Sequence, residues 1–271
     1  MNERQRRALF FVGCAMGLSW SYWGVLLALG LRVEAAGGAN HPWVTHLPGL
    51  LGPALAAVIT ARCFGGPGAG AALLRRAWTQ WPRPAWRGWL MALSPLAVGS
   101  ALWAVWSLAG QPLPQGAAFW HFPGLPLQWG PWAVTLAVVL VNGVGEELGW
   151  RGYLTELLLK DLSRWATTWW VVLAWMLWHL PLFWLNESMA ALVGPMLLGW
   201  ALGLVCGAFV LAQVYVWSGR SVAVVALWHA AYNLVVATEA GHGTMAAVVS
   251  SAVMVWGCAT AYGWWRQRRV Q

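Results

Sequence analysis

A chain of 271 residues that is 60% hydrophobic and only 9% charged lies outside the range of soluble domains, where about a quarter of residues are charged. Water is not its main solvent. A net charge of +8 points to nucleic acid only where basic residues gather on one solvated face; here they stand at the ends of apolar runs, which excludes a nucleic-acid partner.

A helix needs roughly 20 mostly apolar residues to cross the hydrocarbon of a bilayer. Uncharged runs of that kind recur at 8–31, 44–61, 88–110, 131–159, 165–185, 189–217, 221–238 and 244–265. The first follows Arg4, Arg6 and Arg7 as a signal peptide would, but signal peptides have apolar stretches of only about 7–15 residues. It reads as a first anchor, with Ala35-Ala36 the one feature that suggests cleavage. The second run is short and holds Pro48 and Pro53. Pro95 and Pro181 are expected to kink their helices, as membrane neighbours permit. In the sixth run Gly199, Gly203 and Gly207 share one face, which offers close helix contact. Residues 66–72 (GPGAGAA) and the Pro-rich stretch 111–130 are the substantial loops.

Many of the 25 tryptophans, among them Trp43, Trp86, Trp132, Trp165, Trp217 and Trp265, fall near predicted helix ends, as interfacial anchors do. Cys14, Cys63, Cys206 and Cys258 stand singly in apolar context, without zinc or disulfide spacing, and read as inert packing residues. The expectation is an all-α fold: a polytopic membrane helical bundle of about eight transmembrane helices, forming a single integral membrane domain over residues 1–271.

Charge sets its expected orientation. With the N-terminus cytoplasmic, the inner side carries Arg4, Arg6, Arg7, Arg62, Arg75, Arg76, Arg83, Arg87, Lys160, Arg164, Arg220, Arg266, Arg268 and Arg269, and the outer side keeps Arg32. The positive-inside rule demands that asymmetry, and an even helix count puts both termini in the cytoplasm. The basic composition and the lack of an organelle signal suggest a multi-pass protein of a bacterial-type inner membrane.

Ionisable groups inside membrane helices are costly and carry a functional hypothesis by default. The fourth run contains Glu146, Glu147 and Arg151 (GEELGWRGYL), the fifth His179 (WMLWHLP), and the seventh His229 and Asn233 (WHAAYN). Glu147 and Arg151 are four apart, carboxylate first, the better orientation for an ion pair on one helix face. Glu146 lies about 100° around from Glu147 and needs another partner; His229 and Asn233, also four apart, form the obvious surface. At about 1.5 Å per residue, Glu146 and His179 lie roughly 20 Å and His229 roughly 12 Å from the cytoplasmic helix ends. His41, His46, His121 and His242 lie in or beside outer loops and read as ordinary solvated or packing groups; Glu187 and Glu239 cap or solvate outer ends.

A glutamate in an apolar pocket can serve as general base for water, and neighbouring histidines can hold that water or stabilise an oxyanion. Asn233 can donate without titrating. Neither a nucleophile elbow nor HExxH is present. Glu146, His179 and His229 are the candidates to bind a divalent metal such as zinc in the style of an open catalytic site; spacing alone leaves metal-bound and metal-free water both open, and no cofactor is assigned.

These strings resemble a known family. GEELGWRGYL resembles the EExxxR motif of the CAAX-processing and bacteriocin-processing intramembrane peptidases, the family of the eukaryotic type II prenyl-protein protease. Trp175 and His179 stand where that family has an aromatic residue, more usually phenylalanine, and a histidine four apart; His229 and Asn233 match HxxxN. The resemblance covers about residues 141–234, within a family-like catalytic core of about 131–240. It implies a helical fold with its site opening toward the cytoplasmic half, cleavage of a membrane-tethered peptide or protein, and a division of roles: Glu146 activates water, His179 holds it, His229 and Asn233 bind the oxyanion, and Glu147 and Arg151 orient the site. Two other classes share these features: a catalytically silent immunity or partner-binding membrane protein of the same fold, and a proton-coupled transporter, since buried Glu and His also build proton relays. The paired i,i+4 motifs favour the peptidase, and the repeated broken half-helices of many transporters are not evident.

Overall fold

A computed structural model describes residues 1–33 and 44–268; Ala35, Ala36, His41, Trp43 and Arg269 lie outside the described residues. The described chain forms α1 (Glu3–Ala28), α2 (Leu47–Gly65), α3 (Ala69–Thr79), α4 (Ala85–Leu108), α5 (Pro131–Leu158), α6 (Arg164–Leu185), α7 (Pro195–Trp217), α8 (Val222–Val236) and α9 (Thr244–Arg268). Seven of these, all but α3 and α8, are long and apolar enough to cross a membrane. Their outward faces carry exposed Leu90, Val105, Leu136, Leu198 and Val255, a surface suited to lipid tails. The protein is a polytopic membrane bundle.

The eighth expected helix is shorter than a span. α8 has 15 residues, about 22 Å at the α-helical rise against a hydrocarbon core of about 30 Å. Ten of those residues are buried, because α4, α5, α7 and α9 all pack around it. Enclosed by protein, α8 has no need to match the thickness of the lipid.

The prolines act as local physics dictates. α2 is interrupted at Leu51, just ahead of Pro53, whose ring removes a helical N–H. α4 runs unbroken through Pro95: the Ser94 hydroxyl donates at 2.9 Å to the Met91 carbonyl, the acceptor that a residue with an N–H at position 95 would have used. That hydroxyl also accepts from Trp228 Nε1 of α8 at 3.1 Å. Pro181 does break its helix: α-helical winding in α6 stops at Trp178, with His179 as its cap, and resumes over Leu182–Leu185.

α5 departs most from regular winding. Two π-helical segments, Val139–Val144 and Trp150–Thr155, flank the α-helical turn Gly145–Gly149 that carries both glutamates. Glycines then let neighbours approach its backbone. A Cβ on Gly149 would lie 2.6 Å from Pro53 of α2, and one on Gly143 would lie 2.6 Å from the Ala226 carbonyl of α8. Wide turns of this kind are frequent at functional sites.

Two expectations need correcting. Many tryptophans do lie exposed on the outside, Trp86, Trp132 and Trp217 among them, but Trp23, Trp150, Trp175, Trp178 and Trp228 are core residues. The glycine face of α7 is not its tight contact: a Cβ on Gly199 or Gly207 would meet nothing within 4 Å, whereas one on Gly257 of α9 would lie 2.4 Å from the Cys206 carbonyl. The close approach depends on the glycine of the partner helix.

Candidate active site

The site is assembled from α5, α6 and α8. Glu146, Glu147, Arg151 and His229 are buried, and His179 and Asn233 half-buried. Arg151 Nη1 donates to Glu147 Oε1 at 2.8 Å, and His229 Nδ1 donates to the same oxygen at 2.8 Å. The i,i+4 ion pair expected from sequence thus becomes a buried triad that recruits α8. The predicted partnership of Glu146 with the His229–Asn233 surface is met only in part: His229 stands close enough to interact with Glu146 electrostatically, but its hydrogen bond goes to Glu147, and Glu146 Oε2 accepts from Trp175 Nε1 of α6 at 2.8 Å. Helical winding explains the split, since adjacent side chains point about 100° apart and the two carboxylates reach different helices.

His179 sits where α6 breaks. Its Nδ1 lies 2.7 Å from the Trp175 carbonyl; a carbonyl only accepts, so Nδ1 bears the hydrogen and Nε2 presents a lone pair. The ring is enclosed edgewise by Trp175, Trp178 and Trp200, with centroids 5.4, 4.9 and 5.7 Å away. Behind it a hydrogen-bond chain joins α6 to α1 and α2: Trp178 Nε1 donates to Ser19 Oγ at 2.7 Å, and Ser19 Oγ donates to the Gly49 carbonyl at 2.7 Å. Asn233 lies one turn from His229 on α8, and among the described residues its amide makes no hydrogen bond to the other five.

Residues read as peripheral have varied fates. His46 is buried at the start of α2. His121 Nδ1 and Glu239 Oε2 pair at 2.8 Å, joining two loops. Among the described residues no three His, Cys, Asp or Glu side chains lie close enough together to hold a metal ion. Glu146, His179 and His229 are therefore too spread, as they stand, to share one.

The stretch from α5 to α8 that supplies all six residues is also where the chain meets known proteins. Residues 128–235 match the family model described as Type II CAAX prenyl endopeptidase Rce1-like. The chain carries an Rce1-like domain. No match is found among curated proteins. The Rce1-like domain contains the glutamate pair, both histidines and Asn233, while α1 and α2, which support His179 from behind, lie outside the matched residues. Motif spacing alone does not reveal the hydrogen-bonding role of Trp175. The available signal was its identity, an indole N–H donor one helical turn before His179.

Proposed function

We propose that the protein is an intramembrane endopeptidase that hydrolyses a peptide bond of a membrane-tethered peptide or protein with water activated by Glu146. The observation that carries this reading is the division between the two carboxylates. Glu147 is engaged by Arg151 and His229, whereas Glu146 has one oxygen held by Trp175 and its Oε1 accepts no hydrogen bond from the described residues. Oε1 takes a proton from water as the oxygen attacks the carbonyl carbon, and returns it to the leaving amine. The Nε2 lone pair of His179 accepts a hydrogen from that water and aims it.

Oxyanion stabilisation falls to α8. With Nδ1 of His229 donating to Glu147, its Nε2 donates as well once the ring is an imidazolium, and the Asn233 amide donates in either state. Glu147 and Arg151 hold that imidazole and the α5 turn in place. The excess of arginine at one set of helix ends supports cytoplasmic termini, in a bacterial-type inner membrane.

The test is cleavage of membrane-tethered peptides by the full-length protein in lipid vesicles. Glu146→Ala is expected to remove cleavage, with a loss of at least about a hundredfold, the lower end for a general base, while helical content by circular dichroism stays unchanged. Retained cleavage overturns the assignment.

A further inference from the structure

Trp175 meets four of the five charged or titratable groups of the site, all but Glu147. Its Nε1 donates to Glu146 Oε2 at 2.8 Å. Its backbone carbonyl holds His179 Nδ1 at 2.7 Å. The Arg151 guanidinium lies over its ring, 5.0 Å from the centroid, and His229 meets its edge at 6.0 Å. Its side chain is 6% exposed. Any aromatic ring could supply the stacking and edge contacts, and any residue the carbonyl. The hydrogen bond to Glu146 requires the indole nitrogen.

The consequence is geometric. A carboxylate turns about its last torsion with a broad, two-fold preference, so a glutamate without a partner divides its time between orientations. A donor on Oε2 removes that freedom and leaves Oε1 as the oxygen that meets water. Resting on the endopeptidase reading, we propose that Trp175 is a positioning residue of the hydrolytic site: its indole N–H sets which Glu146 oxygen takes the proton, and its carbonyl sets which nitrogen of His179 holds the water. One residue thereby aligns the base and the water ligand, two groups brought from different helices.

Trp175→Phe keeps the ring and the backbone carbonyl and removes the N–H. In full-length protein in vesicles, the loss of one hydrogen bond to a charged group is expected to lower kcat by about tenfold to a hundredfold, with KM within about twofold, because the bond serves the reacting geometry and not substrate binding. A second readout needs no turnover. Dicyclohexylcarbodiimide modifies buried carboxyl groups, and an oxygen relieved of its donor is free to attack the reagent, so Glu146 labelling, followed by mass spectrometry of its peptide, is expected to be faster in Trp175→Phe than in wild type.

If Trp175→Phe does not fold, 3-benzothienylalanine placed at position 175, which exchanges N–H for sulfur within the same outline, gives the same comparison. Wild-type kcat together with a wild-type labelling rate in either protein overturns the inference, as does a change confined to KM. Should wild type cleave and Glu146→Ala not, these results fail Trp175 alone; should wild type cleave no tethered peptide, the endopeptidase reading falls and labelling still decides the hydrogen bond.

Discussion

The buried pair between Glu147 and Arg151 permits a quantitative test. Nη1 and Oε1 are 2.8 Å apart and the two side chains are 1% and 0% exposed, so solvent screening, which reduces surface pairs to about 0–1 kcal/mol, does not apply. Arg151→Met leaves Glu147 with the His229 N–H as its remaining partner and Glu147→Gln leaves the buried guanidinium without its carboxylate; breaking a buried pair from one side costs about 3–5 kcal/mol. The double variant removes both charges. Its loss is expected to fall below the sum of the single losses by about 0.5–3 kcal/mol, the range for residues in one network, because desolvation of the pair is relieved along with its attraction. Unfolding in mixed micelles, titrated with a denaturing detergent and followed by circular dichroism, measures all three. Activity separates from stability: the double variant regains stability without cleavage, because His229 Nδ1 no longer donates to a charged carboxylate. Additive losses would refute the pairing, and a cleaving double variant would refute the role given to Glu147.

Two further predictions follow from packing and charge. Gly149→Ala forces a methyl to within about 2.6 Å of the Pro53 backbone and is expected to cost about 1–3 kcal/mol through overpacking and to depress cleavage by displacing the glutamate turn; Gly24→Ala, with nothing within 4 Å of the added carbon, is the control, and equal behaviour of the two in a melting assay rejects the argument. In a cysteine-free background on intact cells, Arg32→Cys is expected to react with a membrane-impermeant maleimide and Lys160→Cys only after lysis; the reverse pattern would invert the topology.

The apolar runs and the six polar residues within them were legible because lipid imposes a length and a penalty that composition alone reveals. The short α8 was less so: its run at 221–238 looks like a full-length span, and only the helices that enclose it excuse its 15 residues from matching the thickness of the hydrocarbon. Trp175 was the least legible of all. As a letter it is one more aromatic; as a neighbour it is the donor to Glu146.

Sequence by itself determined the membrane bundle, the salt bridge between Glu147 and Arg151, and the need of Glu146 for a different partner, since all three follow from hydrophobic length or from the 3.6-residue turn within one helix. The tertiary structure decided the rest: that His229, 82 positions along, joins Glu147, that Trp175 joins Glu146, and that two π-helical segments bracket the glutamates. Those outcomes depend on how closely and at what rotation separate helices meet, through Gly143 against Ala226 and Gly149 against Pro53. No periodicity within one helix encodes that relation.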